Sequence, residues 1–290
     1  MKINSRFFVN SKLSTLSLAI LAAFTLGACT SNSNVVTDTA NNVTLTQEQL
    51  AGAYLVGATA WVQNAAEYRA LAYQAFNVAT VAYDQAPNVR GKAKAVVVDL
   101  DETMIDNGGF QGAIAKYGIA YNSKDWGNWE KTGKPTAIPG ALEFAKHVVS
   151  KGGVVYYVSN RQHANLEYTK ASLIALGFPG VSDATVLLKD KVSSKEPRFE
   201  VANSKHNVVV YVGDNLRDFP EAGKFNTTAE RNAWVDQNKK YFGNKFIVLP
   251  NPMYGNWLSS LAPNFYSHSL AEQNKIKVDA IKAWDLSNYK

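Results

Sequence analysis

Cysteine is almost absent from this chain: Cys29 is the single one among 290 residues. A disulfide within one chain is therefore excluded. Histidine is scarce as well. His147, His163, His206 and His268 are scattered, and none stands at H-x-x-x-H spacing, which argues against a histidine-held zinc centre. No G-x-x-x-x-G-K-S/T occurs, so there is no P-loop, and no C-x-x-C-H haem attachment occurs either. The formal net charge of +6 is dispersed rather than gathered into a basic run, which leaves nucleic acid without a footprint. The apolar stretch near the start, Leu13 to Phe24, is too short for a membrane-spanning helix. No internal repeat is found.

What is present is an ordinary globular balance, 46% hydrophobic and 19% charged residues, in a chain long enough for one sizeable α/β domain with an insertion. The chain opens differently. Lys2, Arg6 and Lys12 give a positive start ahead of the apolar segment, and no acidic residue occurs before Cys29, so residues 1–28 read as a signal peptide. Leu26-Gly27-Ala28-Cys29 has the form of a lipobox, with cleavage before an acylated Cys29. Several acyl chains anchor a protein stably where one does not. Thr30 rather than Asp follows the cysteine, which by Gram-negative sorting rules points to the outer membrane. Without Lys2, Arg6 and Lys12 the net charge falls to about +3, a mild excess that attracts small anions. Residues 29–44, rich in Ser, Asn and Thr, read as a flexible tether. The folded domain is then 45–290.

The rest is organised around Ala95 to Gly109. Ala95-Val96-Val97-Val98 is a β-branched run, the pattern of a strand buried on both faces. It ends on two carboxylates, Asp99 and Asp101, with Leu100 between them. In parallel α/β sheets ligands bind at the carboxyl ends of strands. Two carboxylates there repel each other and resist desolvation unless a cation holds them, and oxygen ligands suit Mg2+. The chemistry suggested is a nucleophilic carboxylate beside a metal, with a second carboxylate that moves protons. A turn that merely ends a strand uses the same residues.

Asp99-Leu-Asp101-Glu-Thr103-Met-Ile-Asp106-Asn107 resembles the first motif of the haloacid dehalogenase superfamily in its class C acid phosphatase form. Val209-Val-Tyr-Val-Gly213-Asp214-Asn215-Leu216-Arg-Asp218-Phe219 resembles that class's second signature. Ile105 and Phe110 stand where Leu and Tyr are usual. The chain looks most like the outer-membrane lipoprotein e group of 5′-nucleotidases. The resemblance implies a Rossmann-like three-layer α/β domain with a small, mostly helical cap, drawn from about 45–90 and 107–138. It implies Mg2+ held by Asp99, the Asp101 backbone carbonyl and Asp214, with Asp218 either binding the metal through water or orienting Lys195. Asp99 is then the nucleophile, and Asp101 the general acid and base. The expected substrate is a small phosphomonoester, in particular a nucleoside 5′-monophosphate such as nicotinamide mononucleotide. A homodimer is implied by the family alone.

Elsewhere the pattern supplies candidates for each part. Thr46 to Ala86 is helical, in one piece or two, with Thr46 and Gln49 at capping-box spacing. Leu50, Tyr54, Trp61, Ala65, Tyr68, Ala72, Ala75 and Ala79 form an apolar stripe read as core. Val154 to Val158 is the next buried strand, ending at Ser159-Asn160-Arg161. Ser159 matches the superfamily's second motif, a hydroxyl that donates to phosphate, with Asn160 and Arg161 assisting. Ala184 to Leu188 is a third strand, followed by Lys189, Lys191 and Lys195. Of these Lys195 best fits the third-motif lysine, because Glu196 to Ala202 can form the helix that follows it; Lys191 is the second choice. Lys245 to Leu249 is the last strand, and a peripheral helix runs from Ser269 to Trp284. Within 107–138 lie Tyr117, Tyr121, Trp126 and Trp129. The resemblance points to Trp126 and Tyr254 as an aromatic clamp on the base. Two rival readings remain: a broad phosphomonoesterase without base preference, and a surface binding lipoprotein for haem or adhesion.

Overall fold

The computed structural model describes residues 37–38, 43–223, 225–285 and 287. Cys29, the signal segment and most of the expected tether lie outside the described residues. Five strands, β1 (Lys94–Val98), β2 (Val154–Gln162), β3 (Val186–Lys189), β4 (Asn207–Gly213) and β5 (Phe246–Val248), form a parallel sheet in the order β3-β2-β1-β4-β5. The β-branched run of β1 takes the centre, where both faces are covered. Side chains alternate across the sheet. Val96 and Val98 of β1, Tyr157 of β2 and Val212 of β4 face a core built with Phe76, Ala79, Phe144 and Val148. Ala95, Val97, Tyr156 and Tyr211 face a second core with Phe199, Ala202 and Phe219. Helices on both faces of a parallel sheet make the three-layer α/β arrangement expected.

The N-terminal helical stretch is two helices, α1 (Gln47–Asn64) and α2 (Ala66–Gln85). The Thr46–Gln49 capping box opens α1, with Gln49 N–H donating to Thr46 Oγ1 at 3.2 Å. The apolar stripe does not run through both. Ala65 adopts extended ψ of 127° between the helices, which resets the helical phase. In α2 the stripe is core, since Tyr68, Ala72, Ala75 and Ala79 are buried. In α1, Tyr54 and Trp61 are exposed, and Gly52, Thr59 and Val62 are the buried residues instead.

After β1 the chain makes a tight loop, then Ile105–Asp106 pairs antiparallel with Thr136–Ala137. This short stem carries the cap, whose helices are α3 (Gly108–Tyr117) and α4 (Ser123–Thr132). α1 packs on α3; a Cβ on Gly52 would come within 3.0 Å of the Ile114 carbonyl, so glycine lets the backbones approach. The chain returns through α5 (Ala141–Ser150) to β2, then α6 (Leu166–Ala175), β3, α7 (Glu196–Lys205) and β4. α8 (Thr228–Asn238) precedes β5, and α9 (Leu270–Asp279) closes the described chain by binding α1 through Asn274 Nδ2 and the Gln47 carbonyl at 3.0 Å. β3 starts at Val186, later than its sequence pattern suggested, because Ser182 to Thr185 forms a turn held by Thr185 Oγ1 on the Gly180 carbonyl at 2.6 Å. Among the described residues no helix is long and apolar enough to cross a membrane.

Candidate active site

β1 and β4 are neighbours, with Val98 opposite Val212 and Asp99 N–H on the Val212 carbonyl at 2.9 Å. From β1 the chain goes to β2 and β3 on one side and returns to β4 and β5 on the other. Asp99 and Asp214 therefore leave adjacent strands at the point where strand order reverses, which opens a crevice at the carboxyl edge. Asp218 reaches the same place from a single helical turn, Leu216–Asp218, where its Oδ2 accepts from Asn215 N–H at 2.8 Å. Gly213 makes this possible: a Cβ there would sit 2.2 Å from the Cβ of Asp218. One carboxylate oxygen from each of Asp99, Asp214 and Asp218 lies within 4.8 Å of the others.

The cluster is held from several directions. Lys195, only 5% exposed and at the start of α7, ion-pairs with Asp99 Oδ1 and, at 2.7 Å, with Asp218 Oδ1. Lys191 is exposed. Asp214 Oδ2 accepts from Asn251 Nδ2 at 2.8 Å, and Asp214 Oδ1 from Thr103 Oγ1 at 3.4 Å. Burial pushes the Asp99 carboxyl well above the usual carboxylate range against the pull of Lys195, with Asp218, Asp214 and Asp101 adding repulsion. Burial, then Asp218, raises Asp214 to about 7. Asp99 and Asp214, which resist ionising together, with Asp218 beside them, form a set of oxygen donors that fits a hard divalent cation.

The proton affinity of Asp214 has a measurable consequence. The folded chain holds this proton up to about pH 7, the unfolded chain only to the ordinary carboxylate range. Stability from this group is therefore present at low pH and is lost as pH rises toward 7. A divalent cation competes with the proton. The rise in melting temperature on adding Mg2+ to EDTA-treated protein should therefore grow between about pH 5 and about pH 7. A rise that is independent of pH would contradict a cation seat built on these carboxylates.

Asp101 points away from that cluster into a second network. Arg161, 2% exposed, grips it with Nε at 2.9 Å and Nη2 at 2.7 Å from Oδ1. Ser159 Oγ donates to Oδ2 at 3.2 Å, and Asn107 Nδ2 to Oδ1 at 3.0 Å. Arg161, expected beside the phosphate, is thus engaged by Asp101. Ser159 is fully buried and also accepts from the Arg161 backbone N–H at 3.1 Å. Asn160 is exposed, its Oδ1 held by Arg198 Nη2 at 2.7 Å. Glu102 follows in left-handed conformation, φ 59°, with Oε1 accepting from Asn107 N–H at 3.1 Å. Burial and Asp101 push Glu102 well above the usual range.

Over these groups lies the aromatic cap. Phe110 is buried with Trp126 edge-on at 5.1 Å, Tyr121 at 6.3 Å and Trp129 at 6.2 Å between ring centroids. Tyr254, half-buried, packs on the main core and not on this group, and its buried hydroxyl has no partner. Among the described residues no ring contact joins Trp126 to Tyr254. No role for Asn107, Arg198 or Asn251 was legible in the sequence, and Trp129 stood only among the cap's aromatic rings, as a stacking surface or as cap core. Asn251 stood just past the last strand, on the ligand-binding edge, and its position was the available signal; Arg198 and Trp129 meet the site only through packing.

Residues 15–257 match the family described as HAD superfamily, subfamily IIIB (acid phosphatase). The class C acid phosphatase from Bacillus anthracis is similar at 36% identity and a TM-score of 0.77, over 81% of this chain and 100% of that one. Its tungstate-bound crystal structure is similar at 37% identity and a TM-score of 0.76, over 81% and 99%. The chain belongs to HAD subfamily IIIB, the acid phosphatases, and is a phosphoric monoester hydrolase of class C type.

Proposed function

We propose that this phosphatase acts on nucleoside 5′-monophosphates, nicotinamide mononucleotide among them, with Mg2+ and through a phosphoryl group carried on Asp99. The observation behind this reading is the division of labour between two nearby carboxylates: buried Asp99 beside Lys195, Asp214 and Asp218, and Asp101 held by Arg161, Ser159 and Asn107. Asp99 attacks phosphorus in line, and the bond from phosphorus to the ester oxygen breaks. Asp101 gives its proton to the leaving oxygen. It then takes a proton from the water that attacks the aspartyl-phosphate, which releases phosphate and restores Asp99. Lys195 steadies the phosphoryl oxygens; the Ser159 hydroxyl, which donates to Asp101 Oδ2 here, joins it by turning its one proton to the phosphate, with Asn160 beside it. The side chains of Asp99, Asp214 and Asp218, with the Asp101 backbone carbonyl, would hold the cation, which supplies charge neutralisation at those oxygens. The tungstate bound by the Bacillus anthracis enzyme, a tetrahedral oxyanion like phosphate, supports the reading.

The nucleotide preference rests on the aromatic cap. A base stacked on a protein ring gains ~1–3 kcal/mol. Phosphate release from nicotinamide mononucleotide, AMP and an aryl phosphate, at acidic pH with Mg2+ and then with EDTA, tests the whole reading. Trp126→Ala should lower kcat/KM for both nucleotides by about 10-fold and leave the aryl phosphate within about 2-fold. Equal loss on all three would leave a broad phosphomonoesterase.

A further inference from the structure

Asn107 sits where cap meets core and is fully buried. Its amide has one workable sense. Nδ2 donates to Asp101 Oδ1 at 3.0 Å, while Oδ1 accepts from Trp129 Nε1 at 2.8 Å and from Arg161 Nη2 at 3.3 Å. With the amide turned over, its oxygen would face the Asp101 carboxylate and its nitrogen would face two donors; Arg161 and Asp101 would keep each other, and the Trp129 N–H would lose its partner. Trp129 belongs to α4, so a hydrogen bond from the cap joins Arg161 and Asp101 itself in holding the amide beside Asp101.

The indole is set in a slot that two glycines leave open. A Cβ on Gly109 would come 2.9 Å from Trp129 Cη2, and one on Gly133 would come 2.5 Å from Cδ2. Gly133 has φ −63°, open to any residue. Glycine is needed there for the indole and for the Trp129 carbonyl, which a Cβ would meet at 2.7 Å, and not for φ. A ring that merely filled the cap would need this slot but not the N–H aimed at Asn107.

We propose that Trp129 is a positioning residue for proton transfer: through Asn107 it holds Asp101 in the geometry that protonates the leaving alcohol, and it does so only when the cap helix is seated. This rests on the role of Asp101 given above. Asp101 meets two kinds of leaving group differently. An alkyl alkoxide needs the proton as the phosphorus–oxygen bond breaks, whereas 4-nitrophenolate departs without it. kcat/KM ends at that bond cleavage, so it reports this step and not the later hydrolysis.

Trp129→Phe keeps the ring and removes the N–H. It should lower kcat/KM for an alkyl phosphate by about 10-fold or more and for 4-nitrophenyl phosphate by less than about 2-fold, in a protein that still melts cooperatively. Gly133→Ala keeps the N–H but pushes the indole, together with the Trp129 carbonyl at the end of α4, from Asn107, and it should give the same selective loss; it carries the test if Trp129→Phe does not fold. Equal loss on both substrates, or no loss, in either folded variant overturns the proposal. Asp101→Ala separates the two levels. If it too lacks selectivity for the alkyl ester, the assignment of Asp101 as the acid is what fails.

Discussion

Asp99→Asn should lower turnover on every phosphomonoester by at least ~10⁴-fold, since it removes the nucleophile rather than a helper. It should not unfold the protein. The Asp99 carboxyl is buried, and burial with three acidic neighbours already disfavours its charge. A neutral amide of the same shape relieves that repulsion, and Lys195 keeps its ion pair with Asp218 at 2.7 Å. The melting temperature in EDTA should therefore equal or exceed that of the parent chain. Steady-state phosphate release beside a thermal melt checks both halves. Turnover within 10-fold of the parent, or a loss that follows unfolding, would remove Asp99 from the chemistry.

Lys195→Met carries the second large effect, and it divides between stability and rate. The ammonium is nearly buried between two carboxylates. Deleting one member of a buried ion pair leaves uncompensated charge, at about 3–5 kcal/mol. In EDTA the urea midpoint should fall accordingly. Mg2+ should recover part of this loss, because a cation among Asp99, Asp214 and Asp218 compensates the same charges. It should not recover the rate, since Lys195 is also expected to meet the phosphoryl oxygens. That share is about 10²–10³-fold in kcat, the usual scale for one electrostatic donor. A loss below about 1 kcal/mol in EDTA would mean that Lys195 is not the counter-charge of this cluster.

The parts legible in the sequence are those whose geometry is local. Ala95 to Val98 could only be an interior strand, and Asp99 and Asp101 follow it by covalent connection. The run from Val208 to Val212 places Asp214 in the same way, and Gly213 had to be small because Asp218 folds back over it within five residues. Lys195 was legible because a helix start could be read at Glu196. The contacts of Arg161, Arg198 and Asn251 were not, since each depends on how loops from different strands meet. α1 shows the limit of periodicity. A stripe continued through Ala65 looks like one face, but an extended ψ at that residue turns Tyr54 and Trp61 outward. Asn107 lay in plain view within the first motif, and its role became visible only when Trp129 came down from the cap.

The proposed route carries the phosphoryl group through Asp99. Acid quenching within the first turnover on a radiolabelled nucleotide, followed by peptide mapping, tests it most directly. Label is expected on the peptide that contains Asp99, formed no more slowly than phosphate is released and absent from Asp99→Asn. Phosphate released at the normal rate with no label on that peptide at any time would contradict it.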